Sequence, residues 1–271
     1  MNKSKFSGTH ALLFVMLLLL CGCEWKLRST EEDDGRSPIE VQRYDRLQSL
    51  YLQTGDFSAL QQMNTSYPME TRTLIENVLQ IGPVDDPEIN NKFLRFYQDT
   101  TLQAVITDVA ATYAKMDDVN KDLDMAFLRL EKAVPGFPVP TVYAQIGAFA
   151  QSIVIGNQSI GISLDKYLGA AYPLYQRYGY TAQQLQMMER EYIVPDCITF
   201  YLLSLYPLHD FETRPQMDRD LHMGKVMWVA NKVLSRQVFK SEYVKRIDRY
   251  MRRHPSFGLE QLLKMDDYKG V

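Results

Sequence analysis

A charged start followed by ten uninterrupted apolar residues sets the terms for everything after it. Lys3 and Lys5 precede the run Ala11 to Leu20, Ala-Leu-Leu-Phe-Val-Met-Leu-Leu-Leu-Leu. A membrane-crossing helix needs roughly 20 apolar residues, so this run is too short to be one. The pattern instead reads as a secretory leader, which is set aside before the fold is considered. The rest of the chain must then fold outside the cytoplasm.

The run closes on Leu20-Cys21-Gly22-Cys23. This resembles a bacterial lipobox, with a large apolar residue three places before the modified cysteine and a small residue just before it. Cys23 is the expected lipidation site. Cys21 fits less well, because the residue before it is Leu20. Residues 1–22 are read as the signal peptide. Their removal, with Lys3 and Lys5, leaves 249 residues and net charge −5 from a precursor of 271 residues and net charge −3. A lipobox cysteine carries a diacylglycerol, and two or more acyl chains anchor stably where one binds only marginally. With Cys23 acylated, Cys197 is the remaining thiol and forms no intramolecular disulfide. It lies in an apolar run and is expected as a small buried side chain.

Residues 23–37 form the lipidated cysteine and an acidic tether. Glu31-Glu32-Asp33-Asp34 repels itself and stays solvated. The plain reading is a spacer, and the alternative is an acidic sorting signal. The charge balance, 30 basic against 33 acidic residues, gives no basic bulk for a nucleic-acid backbone. The expected partners are the membrane, through the lipid, and proteins of the envelope.

Residues 38–271 are expected to form one α+β body, mainly helical with a small antiparallel sheet or hairpin. Asp56 is placed to cap a helix carrying Leu60 and Met63. Met69 to Ile81 reads as a helix stopped by Gly82, and Asp86-Pro87-Glu88 as a helix start. Thr141 to Ala150, Gln151 to Ile155 and Ile160 to Leu164 are β-prone, with a turn at Gly156-Asn157. Thr181 is placed to cap Ala182 to Tyr192. Pro195 opens a helix over Asp196 to Leu205, and a long amphipathic helix is expected near Arg214 to Leu234. Lys245, Arg246, Arg249 and Arg252-Arg253-His254 form a basic cluster. It is either a solvated helix face or a surface for acidic lipid heads or an acidic partner. Tyr172, Tyr175, Tyr178 and Tyr180 suit either an interface or the packing of a loop.

Several of these segments, in their order, resemble the gliding-motility lipoprotein family GldB. They are Arg43-Tyr44-Asp45, Ile162 to Gly169 followed by Tyr172-Pro173, Glu191 to Asp196 after Met187-Met188, and Gly224-Lys225. From Ser235 to Val271 the chain departs from the pattern. The resemblance implies a zincin-like architecture and a role in the envelope machinery of gliding or linked secretion. Zincins hold zinc with His-Glu-x-x-His on one helix. The comparable stretch here reads Asp196-Cys197-Ile198-Thr199-Phe200, without histidine or glutamate. His209, His222 and His254 are not spaced as helical ligand pairs. The expectation is therefore a zincin-like body without the metal site and without a cofactor.

No esterase elbow, phosphate-cradling loop or dinucleotide fingerprint occurs. Paired carboxylates would suit a glycan hydrolase. Asp165 and Asp196, both in family-like segments, are the candidates, and each also reads as a helix cap. The expected function is thus a non-catalytic scaffold or binding component. The alternative is an envelope peptidase or glycan hydrolase with a site that sequence does not reveal.

Overall fold

The computed structural model describes residues 37–271. The expected leader, the expected lipidation site Cys23 and the tether up to residue 36 lie outside the described residues. The body starts as an extended segment caught by side chains far along the chain. The amides of Ile39 and Val41 donate to Asp124 Oδ1 and Asn120 Oδ1, each at 3.0 Å. Gln42 then bridges Tyr143 in parallel.

Helix α1 (Tyr44–Thr54) ends on Gly55, whose φ of 72° gives the left-handed turn that glycine adopts without steric cost. Helix α2 (Phe57–Ser66) is capped by Asp56, as expected, through the amides of Ser58 and Ala59. The single helix expected over Met69 to Ile81 is instead two pieces. A short α3 (Pro68–Arg72) runs into a π-helical stretch, Thr73–Val78, closed by the Leu79 amide on the Leu74 carbonyl. The wider turn buries Leu74, Ile75 and Val78 together. Helix α4 (Ile89–Tyr97) follows the Asp86-Pro87 turn. Helix α5 (Thr100–Thr112) is capped by Asp99, and α6 (Asp117–Ala133) leads to the sheet.

Strands β1 (Thr141–Gln145), β2 (Ile153–Gly156) and β3 (Ser159–Ser163) lie in the order β1-β3-β2. The expected antiparallel hairpin is β2–β3, with Ile153 opposite Ile162. The sheet as a whole is mixed, because β1 adds to β3 in parallel, with Val142 beside Ile160. The β1–β2 connection carries the chain to the far edge of the sheet, so the hairpin brings β3 back between β2 and β1, parallel to β1. Gly161 is required there: an added Cβ would lie 2.6 Å from the Tyr143 ring.

Two short helices follow, α7 (Pro173–Arg177) and α8 (Ala182–Met187). Thr181 and Gln184 close a capping box on α8. Helix α9 (Ile193–Leu205) packs on β2, β3 and α6. Helix α10 (Gln216–Leu234) is buried on several faces, from Leu221 and Lys225 to Trp228 and Val233, so it is a central helix and not an amphipathic surface one. Helices α11 (Glu242–Arg253) and α12 (Leu259–Lys264) close against it. The architecture is α+β: a mainly helical body around a small mixed sheet. No helix among the described residues is long and apolar enough to cross a membrane.

Candidate functional site

One candidate carboxylate, Asp165, lies within the 3-10 turn Leu164–Lys166 that leaves β3, and the other, Asp196, bonds to Tyr167, the residue that follows it. Asp165 is fully buried. Its oxygens accept the amides of Gly147, at 2.7 Å, and Phe149. It therefore caps no helix. It braces the turn after β1, where Ala148 and Phe149 both hold positive φ, 50° and 64°. Residues other than glycine pay about 1–3 kcal/mol for such backbone, and surrounding contacts must hold it in place. Burial pushes the Asp165 carboxyl up, against the opposing effect of the two amides. The same turn is held from the other side. Gln48 accepts the Ile146 amide at 2.8 Å and donates to its carbonyl at 2.7 Å, and Tyr97 donates to that carbonyl at 2.6 Å.

Asp196 sits in the first turn of α9, 6% exposed, and caps nothing. The helix begins earlier than expected, at Ile193, and that places Asp196 inside the body. It accepts the Tyr167 hydroxyl at 2.8 Å. Burial pushes its carboxyl up to about 7, partly offset by the tyrosine. Tyr113 donates to the Tyr167 carbonyl, and Tyr175 donates to the Asp165 carbonyl at 2.5 Å. The structure thus gathers Asp165 and Asp196 around residues 165–167, but each is committed to a different partner.

The donor set on α9 does not fit zinc. Asp196 is engaged by Tyr167, Cys197 is buried with its thiol pushed well up, and Phe200 offers no donor and is 42% exposed. The three histidines among the described residues lie elsewhere. His209 is exposed, His222 pairs with the Tyr268 hydroxyl at 2.9 Å, and His254 lies against Tyr250. No group of three or more metal-ligating side chains converges among the described residues.

The tyrosines after the turn are mainly packing. Tyr175 is buried, with the rings of Tyr172, Phe149 and Tyr180 at 5.1, 5.8 and 5.8 Å. Tyr178 stays 57% exposed beside Phe149.

Other family-like residues also do structural work. Arg43 grips the buried Asp45 with two hydrogen bonds of 2.8 and 2.7 Å. Gly224 lets α10 and α11 touch, since an added Cβ would lie 2.6 Å from Tyr243 Cβ. Lys225 is buried and donates to the carbonyls of Leu263 and Met265, at 3.0 and 2.8 Å.

A feature that sequence reading recovered only in part lies between α10 and α11. Three members of the basic cluster, Lys245, Arg249 and Arg252, line one wall of a cleft of about 780 Å³. The other wall carries Trp228, Asn231 and Lys232. Asn231 accepts the amides of Val238 and Phe239 and donates to the Phe239 carbonyl, which folds the connecting segment back over the cleft. Lys232, Arg236 and Lys240, spaced by four, were the signal for the second wall.

A family model described as gliding motility protein GldB matches residues 28–241. No curated protein and no solved structure matches the chain. The match covers well over half of the chain and takes in the sheet, the Asp165 turn, α9 and α10, so the chain belongs to the gliding motility protein GldB family.

Proposed function

We propose that this chain is a lipid-anchored envelope protein that supports gliding motility, or the secretion linked to it, by binding other envelope proteins and not by catalysis. The supporting observation is the commitment of both candidate acids. Asp165 braces a strained turn and Asp196 holds a buried tyrosine, so neither is free to act on a substrate. A general acid or base must come within hydrogen-bond reach of the proton it moves. The packing of α9 on the β2–β3 hairpin that precedes it supports a zincin-like frame. Acylation of Cys23 fixes the body at a membrane, and the acidic tether sets its reach.

The test is Asp196→Asn in the native cell. The variant keeps an acceptor for Tyr167 and removes the ionisable group. Unchanged motility, with the protein present at its normal level, is expected. Loss of motility by a variant that is folded and normally abundant would overturn the non-catalytic reading and favour a hydrolase.

A further inference from the structure

We propose that the cleft between α10 and α11 is a binding site for a phosphate-bearing anion. Six cations line it: Lys232, Arg236, Lys240, Lys245, Arg249 and Arg252. One carboxylate, Asp248, lies among them. Nearby acids offset the charge only in part. Asp248 serves Arg252 at 2.6 Å and Lys232 at 4.0 Å. Glu242 serves Arg249 at 3.1 Å and Lys245 at 3.9 Å, and Asp122 reaches Arg236 at 3.8 Å. Three carboxylates thus face six cations, and Lys240 pairs with none among the described residues. The protein as a whole is acidic, with net charge −3, so this excess is local and runs against the overall balance.

The shape selects the ligand class. Pockets for small ligands measure roughly 300–1,000 Å³, and this cleft falls inside that range. It is a half-open cleft, with an apolar floor of Trp228, Phe239 and Val244 beneath the charged rim. Its three arginines supply planar forks that fit phosphate oxygens, and its lysines supply point charges. A carboxylate-rich protein segment would instead need an extended groove with acceptors for its backbone. Trp228 is held at the floor by its own hydrogen bond to Asp248, at 3.0 Å, and by Lys232 stacked 4.7 Å above its ring. An anion that draws off Lys232 or Arg252 therefore changes the surroundings of the indole.

The site stands on this cleft alone and does not depend on the non-catalytic reading or on the lipid anchor. The family match ends at residue 241 and so takes in only the α10 wall and the connecting segment.

The chain has two tryptophans, Trp25 and Trp228. The full chain carrying Trp25→Phe, in uncharged detergent, therefore reports the cleft through Trp228 emission. It is titrated with inorganic phosphate, with polyglutamate, with micelles doped with phosphatidylglycerol, and with micelles doped with phosphatidylcholine. The expected result is a saturable emission change that weakens at least tenfold with Lys240→Glu plus Arg249→Glu and fades as salt is raised. Both residues are exposed, so the variant should fold. Circular dichroism checks this, and Lys240→Gln alone should give an intermediate loss.

A response to phosphatidylglycerol that millimolar phosphate does not displace supports a lipid headgroup as the source. A response to phosphate itself, equal with or without lipid, supports a soluble phosphate. A response to polyglutamate but to neither phosphate probe overturns the proposal in favour of an acidic protein. No response, or one unchanged by the charge reversal, overturns it outright.

Discussion

Asp196→Asn should make this protein more stable, by an amount that grows as pH rises from about 4 to about 7 and levels off above that. An aspartate in an unfolded chain titrates near about 3.9. In the folded protein, burial pushes Asp196 up to about 7. Across the window between these values, the folded chain keeps a proton that the unfolded chain has released. The contribution of this group is therefore fully present below pH 4 and is lost as pH rises through 7. About three units at about 1.4 kcal/mol each set an upper limit near 4 kcal/mol. The asparagine keeps an oxygen for the Tyr167 hydroxyl, now 2.8 Å from the carboxylate, and never charges. Urea unfolding followed by circular dichroism, at pH 4.5 and pH 8, measures the difference. The variant should match the parent within about 1 kcal/mol at the lower pH and exceed it by about 2–4 kcal/mol at the higher. A difference independent of pH, or a loss of stability at pH 8, would refute the reasoning.

Three other substitutions probe the contacts described above. Asp165→Ala leaves the amides of Gly147 and Phe149 without their acceptor and should cost about 3 kcal/mol, with faster amide exchange at both positions. Continued protection of those amides would contradict the bracing role. Gly224→Ala drives a Cβ against Tyr243, whose backbone carbon would lie 2.8 Å away. It should cost about 1–3 kcal/mol in thermal or urea unfolding, and a neutral result would show that the helices have room to part. Lys225 is lowered by burial to about 8. Between that value and about 10.5 the unfolded chain holds the extra proton, so this group's contribution to stability rises with pH there. Lys225→Met should remove that rise in unfolding measured from pH 8 to 10, and an unchanged slope would count against the assignment.

What sequence revealed was mostly local. Asp56 and Thr181 cap helices as expected, because a side-chain oxygen on an orphan amide is decided within three residues. The β2–β3 hairpin follows from its turn. The parallel pairing of β1 with β3 does not, since it depends on where the chain travels after Gln145. Periodicity predicted burial of Leu74, Ile75 and Val78 but not the π-helical turn that achieves it. The candidate acids were found by type and neighbourhood, yet their partners are backbone amides 16 to 18 residues away and a tyrosine 29 residues away. Such distances carry no periodic signal. The cleft was half visible. Lys245 to Arg252 read as a helix face, while its apolar floor appears only when α11 packs on α10.

The central claim is that this family member works from a membrane through a lipid on Cys23. Mass spectrometry of the protein isolated from intact envelopes tests it most directly. The account predicts an N-terminal peptide that begins at Cys23 and carries diacylglycerol. An unmodified N-terminus, or one that begins at another residue, would contradict it.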